Sequence, residues 1–107
     1  MKVSVKISTQ YGIRENKGYA VGMFVVHRVG NLPIECSDSK WGITHVGTGL
    51  NACDGPTKDC CMHAARRLRD LGVNWDFSDP KAVYSFRKAT WQKIRVIRAS
   101  CAHGGYA

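Results

Sequence analysis

Thr57 to Leu71, TKDCCMHAARRLRDL, is the stretch on which the reading of the fold turns. Cys61, Ala64, Ala65, Leu68 and Leu71 recur at the three-and-four spacing of one helical face, which assigns that face to the core. His63, Arg66, Arg67 and Asp70 fall on the opposite side, with Lys58, Met62 and Arg69 on a flank. Gly55-Pro56 suits the entry, because Pro lacks an N–H that the first turn does not use. Gly72 suits the stop, because Gly accepts positive φ.

Upstream of this helix the pattern is that of strands. Lys2 to Thr9 alternates Val3, Val5 and Ile7 against Lys2, Ser4, Lys6 and Ser8, a half-buried strand. Gln10 to Gly18 reads as a turn or loop, given Gly12, Asn16 and Gly18 among charges. Tyr19 to Val29 is the strongest strand signal, rich in β-branched and aromatic residues, with Gly22 as a bulge or close approach. Gly30 to Ser39 is a connection. Trp41 to Val46 forms a third strand with Trp41, Ile43 and His45 on one face, and Gly47 to Gly55 leads from it to the helix.

Downstream, Val73, Trp75 and Phe77 alternate with Asn74 and Asp76 in an extended segment or short strand. Ser78-Asp79-Pro80 supplies a helix start. From there Val83, Phe86, Thr90, Ile94, Ile97 and Cys101 keep helical spacing, whereas Ile94, Val96 and Ile97 are β-branched and would suit a strand from Lys93. We favour one helix from Pro80 to about Ala99, followed by a frayed tail from Gly104. The expected fold class is α+β: a three-stranded antiparallel meander packed against two helices, with a fourth short strand if 73–77 pairs with the sheet. All 107 residues form one basic domain, since no second core fits.

The totals restrict function. Sixteen Lys and Arg against eight Asp and Glu give a net charge of +8, and no acidic residue follows Asp79. A one-signed field of this kind suits a polyanion or an acidic protein surface, although charge that only confers solubility is the plainer alternative. No apolar run is long enough to span a bilayer, and the N-terminus lacks the apolar block of a signal peptide, so a cytoplasmic protein without membrane partners is expected. Five cysteines, an odd count with an adjacent pair, argue for reduced thiols rather than a disulfide framework.

Four features could carry chemistry. If 80–99 is helical, Lys81, Lys88 and Arg95 stack seven apart on one line, opposite the Val83/Ile94 stripe, with Arg98 following. Lys58, Arg66 and Arg69 of the central helix could widen the patch. Cations so spaced can meet successive phosphates. No zinc finger, RRM or KH signature accompanies them, which points to backbone or shape recognition. Gly47-Thr48-Gly49 precedes a helix but has neither P-loop nor GxGxxG spacing, and Asp54 would repel phosphate, so a tight turn explains it better.

Metal binding is the third candidate. Cys61-Met62-His63 and Cys101-Ala102-His103 are Cys-x-His pairs, with Cys53 and Cys60 near in sequence. Residues two apart on a helix diverge by about 200°, so Cys61 and His63 cannot chelate together, whereas Cys60 and His63 could. Buried cysteines are the plainer reading, and no metal or cofactor is expected. Last, His27 and His45 on neighbouring strands with Cys36 between them could form a thiol site, but no flanking motif marks Cys36 as a nucleophile, and no enzyme is expected.

The run Trp41 to Leu50 (WGITHVGTGL), followed by Ala64-Ala65-Arg66-Arg67-Leu68 and Trp75-Asp76-Phe77, resembles elements of small phage- and prophage-encoded accessory proteins. That resemblance implies a class in which some members inhibit host defences such as CRISPR complexes or restriction enzymes. Many such inhibitors are acidic nucleic-acid mimics, and this chain is basic. Three functional expectations result: a non-enzymatic module engaging nucleic acid or an acidic partner through basic helices, a phage-encoded inhibitor of a host defence complex, and a thiol- or zinc-dependent enzyme.

Overall fold

Gly22 determines how the strongest strand pattern is used. In the computed structural model, which describes residues 2–9, 12–28 and 41–106, the run 19–29 is not one strand. The chain reverses at Gly22-Met23, where Gly22 takes φ +57°, and Val21 pairs with Phe24 across the turn. A glycine with positive φ at the first central position suits a two-residue hairpin, because the turn's twist then matches that of the strands. The run therefore ends one strand, β2 (Gly12–Val21), and supplies the next, β3 (Phe24–Arg28).

The sheet has five strands, not three with a possible fourth. In spatial order they are β1 (Lys2–Thr9), β2, β3, β4 (Trp41–His45) and β5 (Asn51–Gly55), all antiparallel, each beside its neighbour in sequence. Two of these strands lay in stretches read as loops. Gly12 to Gly18 is polar and glycine-rich, and pairing with β1 from Thr9↔Gly12 to Lys2↔Tyr19 overrides that local preference. Asn51 to Gly55 carries no β-branched residue, yet it pairs with β4 across an irregularity at Ile43/Thr44. Trp75 and Phe77 lie in an extended segment outside the sheet, the first of the two readings of 73–77, and the short strand is not formed.

One face of the sheet is covered by two helices, α1 (Lys58–Arg69) and α2 (Lys88–Ala102). Helix α1 starts where Thr57 caps it, its side chain accepting from the Cys60 N–H at 3.2 Å. Arg66, Arg67 and Arg69 occupy its last turn, where the helix dipole favours cations. It packs on β3, and α2 packs on β5. Their buried faces meet the sheet in one cluster: Val21, Phe24, Val26, Ile43 and Cys53 below, Cys60, Cys61, Ala64, Ala65, Leu68, Ile94, Ile97 and Cys101 above.

The expected continuous helix 80–99 is two elements. Asp79 does cap a start, accepting from the Lys81 N–H at 3.0 Å, but the product is a six-residue 3-10 turn, Pro80–Ser85. Phe86 and Arg87 are then extended, with ψ near 141° and 152°. Phe86 sits between Trp75 and Trp91, at ring-centroid distances of 5.3 and 5.8 Å, and this packing holds the break. Residues 93–100 are helical despite their β-branched side chains, because Ile94 and Ile97 are buried against the sheet as one helical face. The end of α2 is ordered through Gly105. Gly104 takes φ +76°, its N–H donates to the Cys101 carbonyl, and the Gly105 N–H donates to that of Ser100 at 2.7 Å, a Schellman cap in place of the expected frayed tail.

Candidate anion-binding site

Helix α2 positions its cations by periodicity. With Ile94, Ile97 and Cys101 inward, Lys88, Arg95 and Arg98 emerge along one exposed flank. Two helical turns, about 10.5 Å along the axis, separate Lys88 from Arg95, and Arg98 lies about 4.5 Å further on. None of the three has an ion-pair partner among the described residues.

Arg95 and Arg98 overhang a groove of about 450 Å³ between α2 and β5, the edge strand of the sheet. Asn51, Cys53 and Asp54 form its β5 side, and Ala99 and Ala102, too small to fill it, complete the helix side. Asp54 accepts from the Asn51 side-chain amide at 2.7 Å. Two guanidinium groups thus face one carboxylate, which disfavours an anion on the β5 side and leaves the helix side as the cationic rim.

The remaining expected site residues do not join this flank. Lys81 sits on the 3-10 turn, off the axis of α2, so the line Lys81–Lys88–Arg95 is not formed. Lys58 stacks over the Tyr19 ring of β2, 3.8 Å from its centroid. Arg69 is salt-bridged to Asp70 at 2.8 Å and passes over Gly22 at the β2–β3 turn. The hydrogen bond from Arg69 holds the Asp70 carboxyl below its usual range, and Asp70 in turn raises the guanidinium. Arg66 is exposed on α1. Asn51 and Asp54 were missed as groove residues because their strand carries no sequence signal.

His27 and His45 do not share a site. Phe24 pairs with His45 on the helix-covered face, and His27 alternates to the other face with Val25. The His27 Nε2 lies 2.7 Å from the Thr44 hydroxyl, and Cys36 lies outside the described residues. His45 is buried under Phe77 and Trp75. Its Nε2–H donates to the Trp75 carbonyl at 2.6 Å, while Nδ1 accepts from the Thr48 N–H at 3.3 Å, and the two bonds hold the ring in place.

Three cysteines converge beneath the groove, Cys60 and Cys61 of α1 and Cys101 of α2, and Cys53 of β5 lines the groove itself; all four are free thiols and buried. The sulfurs of Cys60, Cys61 and Cys101 lie within 4.8 Å of one another, with Cys61 and Cys101 at 3.7 Å. The hydrogen bond with Cys101, together with burial, pushes the Cys53 thiol well above its ordinary value. Cys101 is also raised: its contact with Cys53 acts downward, and the hydrogen bond with Cys61 and burial outweigh it. His63, which could have chelated with Cys60, is not part of this group. Its ring packs edge-on against Tyr106 at 5.4 Å, and its Nε2 is buried without a partner among the described residues. Sequence spacing gave no sign of the convergence, since Cys101 lies 40 positions from Cys61.

Comparison with family models, with curated proteins and with solved structures returned no match to this chain. No helix among the described residues is long and apolar enough to cross a membrane. The functional reading therefore rests on the geometry of the chain itself.

Proposed function

We propose that this protein is a non-enzymatic, cytoplasmic binding module whose α2 flank engages the phosphate backbone of nucleic acid. One observation carries the reading: Lys88, Arg95 and Arg98 follow one another on an exposed flank, and none of them is ion-paired among the described residues. Cations on a rigid helix meet phosphates without the ordering cost of a flexible tail, and released counterions supply the driving force. Asp54 keeps the anion on the helix rather than deep in the groove, which suits contact along a backbone more than capture of a single phosphate. Fluorescence anisotropy with a labelled duplex and a labelled single strand, at low and high salt, tests this. Binding should fall steeply with salt and be lost in the double variant Lys88→Glu, Arg95→Glu. No binding at low salt eliminates the reading.

A protein partner is the second reading, and a different feature favours it. Val96 is 59% exposed in a groove of about 290 Å³ between α1 and α2, beside Leu71 and Ile97 and rimmed by Arg67 and Lys93. Apolar surface framed by cations fits an acidic, partly apolar surface such as an inhibitor of a host defence complex would cover. A complex recovered from host lysate that survives nuclease treatment and is lost in Val96→Asp would support this reading over the first.

A further inference from the structure

We propose that Cys53, Cys60, Cys61 and Cys101 form a zinc site that ties α1, α2 and β5 together, independent of what the α2 flank binds. Zinc–thiolate bonds of about 2.3 Å at tetrahedral angles place neighbouring sulfurs about 3.8 Å apart. Cys61 and Cys101 already stand at 3.7 Å, and Cys60 completes a triangle with every edge within 4.8 Å. Cys53 lies at the edge of this triangle, its Sγ now donating to the Asp54 and Arg98 carbonyls at 3.5 and 3.7 Å, and a turn of that side chain would bring in the fourth sulfur. Soft thiolates in a buried set of four select zinc over the hard cations that carboxylates hold.

The β5 backbone approaches the cluster closely at Gly55. A Cβ on Gly55 would stand 2.8 Å from the Cys60 sulfur, the Cys101 sulfur and the Cys101 carbonyl, so this β5 position accommodates the sulfurs only as glycine. Cys60 and Cys61 come from the first turn of α1 and Cys101 from the last turn of α2, so an ion held by the three would join these two helix ends. Arg98 lies beside Cys53, and its charge offsets part of the net negative charge of a four-thiolate zinc. Cys53 lines the groove under Arg95 and Arg98, which gives the ion its way in. The tie is also where a small fold gains from one, since the sheet and both helices meet there.

The test uses the full chain, reduced and stripped of metal. Titration with Co²⁺ should give an intense thiolate-to-cobalt charge-transfer band saturating at one equivalent, and Zn²⁺ should displace the cobalt and raise the melting temperature. Cys53→Ser, Cys61→Ser and Cys101→Ser should each weaken zinc binding by about 100-fold or more, beyond what losing an outer-shell partner costs. Cys36→Ser should bind as the wild type does, and circular dichroism of each metal-free variant checks its fold. The cobalt spectrum of the wild type needs no variant, so a misfolded mutant cannot shield the proposal. Absence of stoichiometric uptake, a cobalt spectrum without the thiolate band, or wild-type affinity in any of the three serine variants would overturn it.

Discussion

Arg95→Gln gives the most direct measure of the α2 flank. Lys88, Arg95 and Arg98 are three cations aligned on one rigid surface, and a duplex contact through all three sets a slope of log affinity against log salt of about −2.7. Raising salt from about 50 to about 200 mM should then weaken binding about 40-fold. Losing Arg95 removes one contact, takes the slope to about −1.8 and reduces the same salt effect to about 12-fold. Arg66→Gln is the matched control, because Arg66 is an exposed cation of α1 and not of the α2 line, and the slope should not move. Anisotropy titrations at four or five salt concentrations resolve the difference. A slope left unchanged by Arg95→Gln, or lowered equally by Arg66→Gln, would show that binding follows net charge and not the arrangement on α2.

Three further expectations concern the scaffold. Thr57→Ala removes the cap of α1 and should lower stability by about 1 kcal/mol in a denaturant melt. Gly47→Ala puts a Cβ against the Phe77 carbonyl and the His45 ring. It should displace the Trp75–Phe77 segment, cost about 1–3 kcal/mol and shift the tryptophan emission. Asp70→Asn should give a small loss of melting temperature at neutral pH, small because the ion pair with Arg69 is exposed. Asp70 has its folded pKa depressed, so its contribution is complete above the unfolded carboxylate value and disappears as pH falls through the folded one. The gap between variant and wild type should therefore close in acid.

The amino-acid sequence by itself determined the α+β class, helix α1 and its buried face, the strand β1, and the uneven charge. Each of these follows from local periodicity or composition: Ala64, Ala65 and Leu68 repeat at helical spacing, and Val3, Val5 and Ile7 alternate. Only the tertiary structure decided the rest. The strands Gly12–Val21 and Asn51–Gly55 exist because a neighbouring strand supplies their hydrogen bonds, a stabilisation that has no signature in the segment itself. The helical pattern of 80–99 was cut at Phe86 by aromatic packing against Trp75, which took Lys81 out of line with Lys88 and Arg95. Cys60, Cys61 and Cys101 met because the packing of two helices on the sheet brought together positions far apart in the chain, and no spacing rule reaches across contacts of that range.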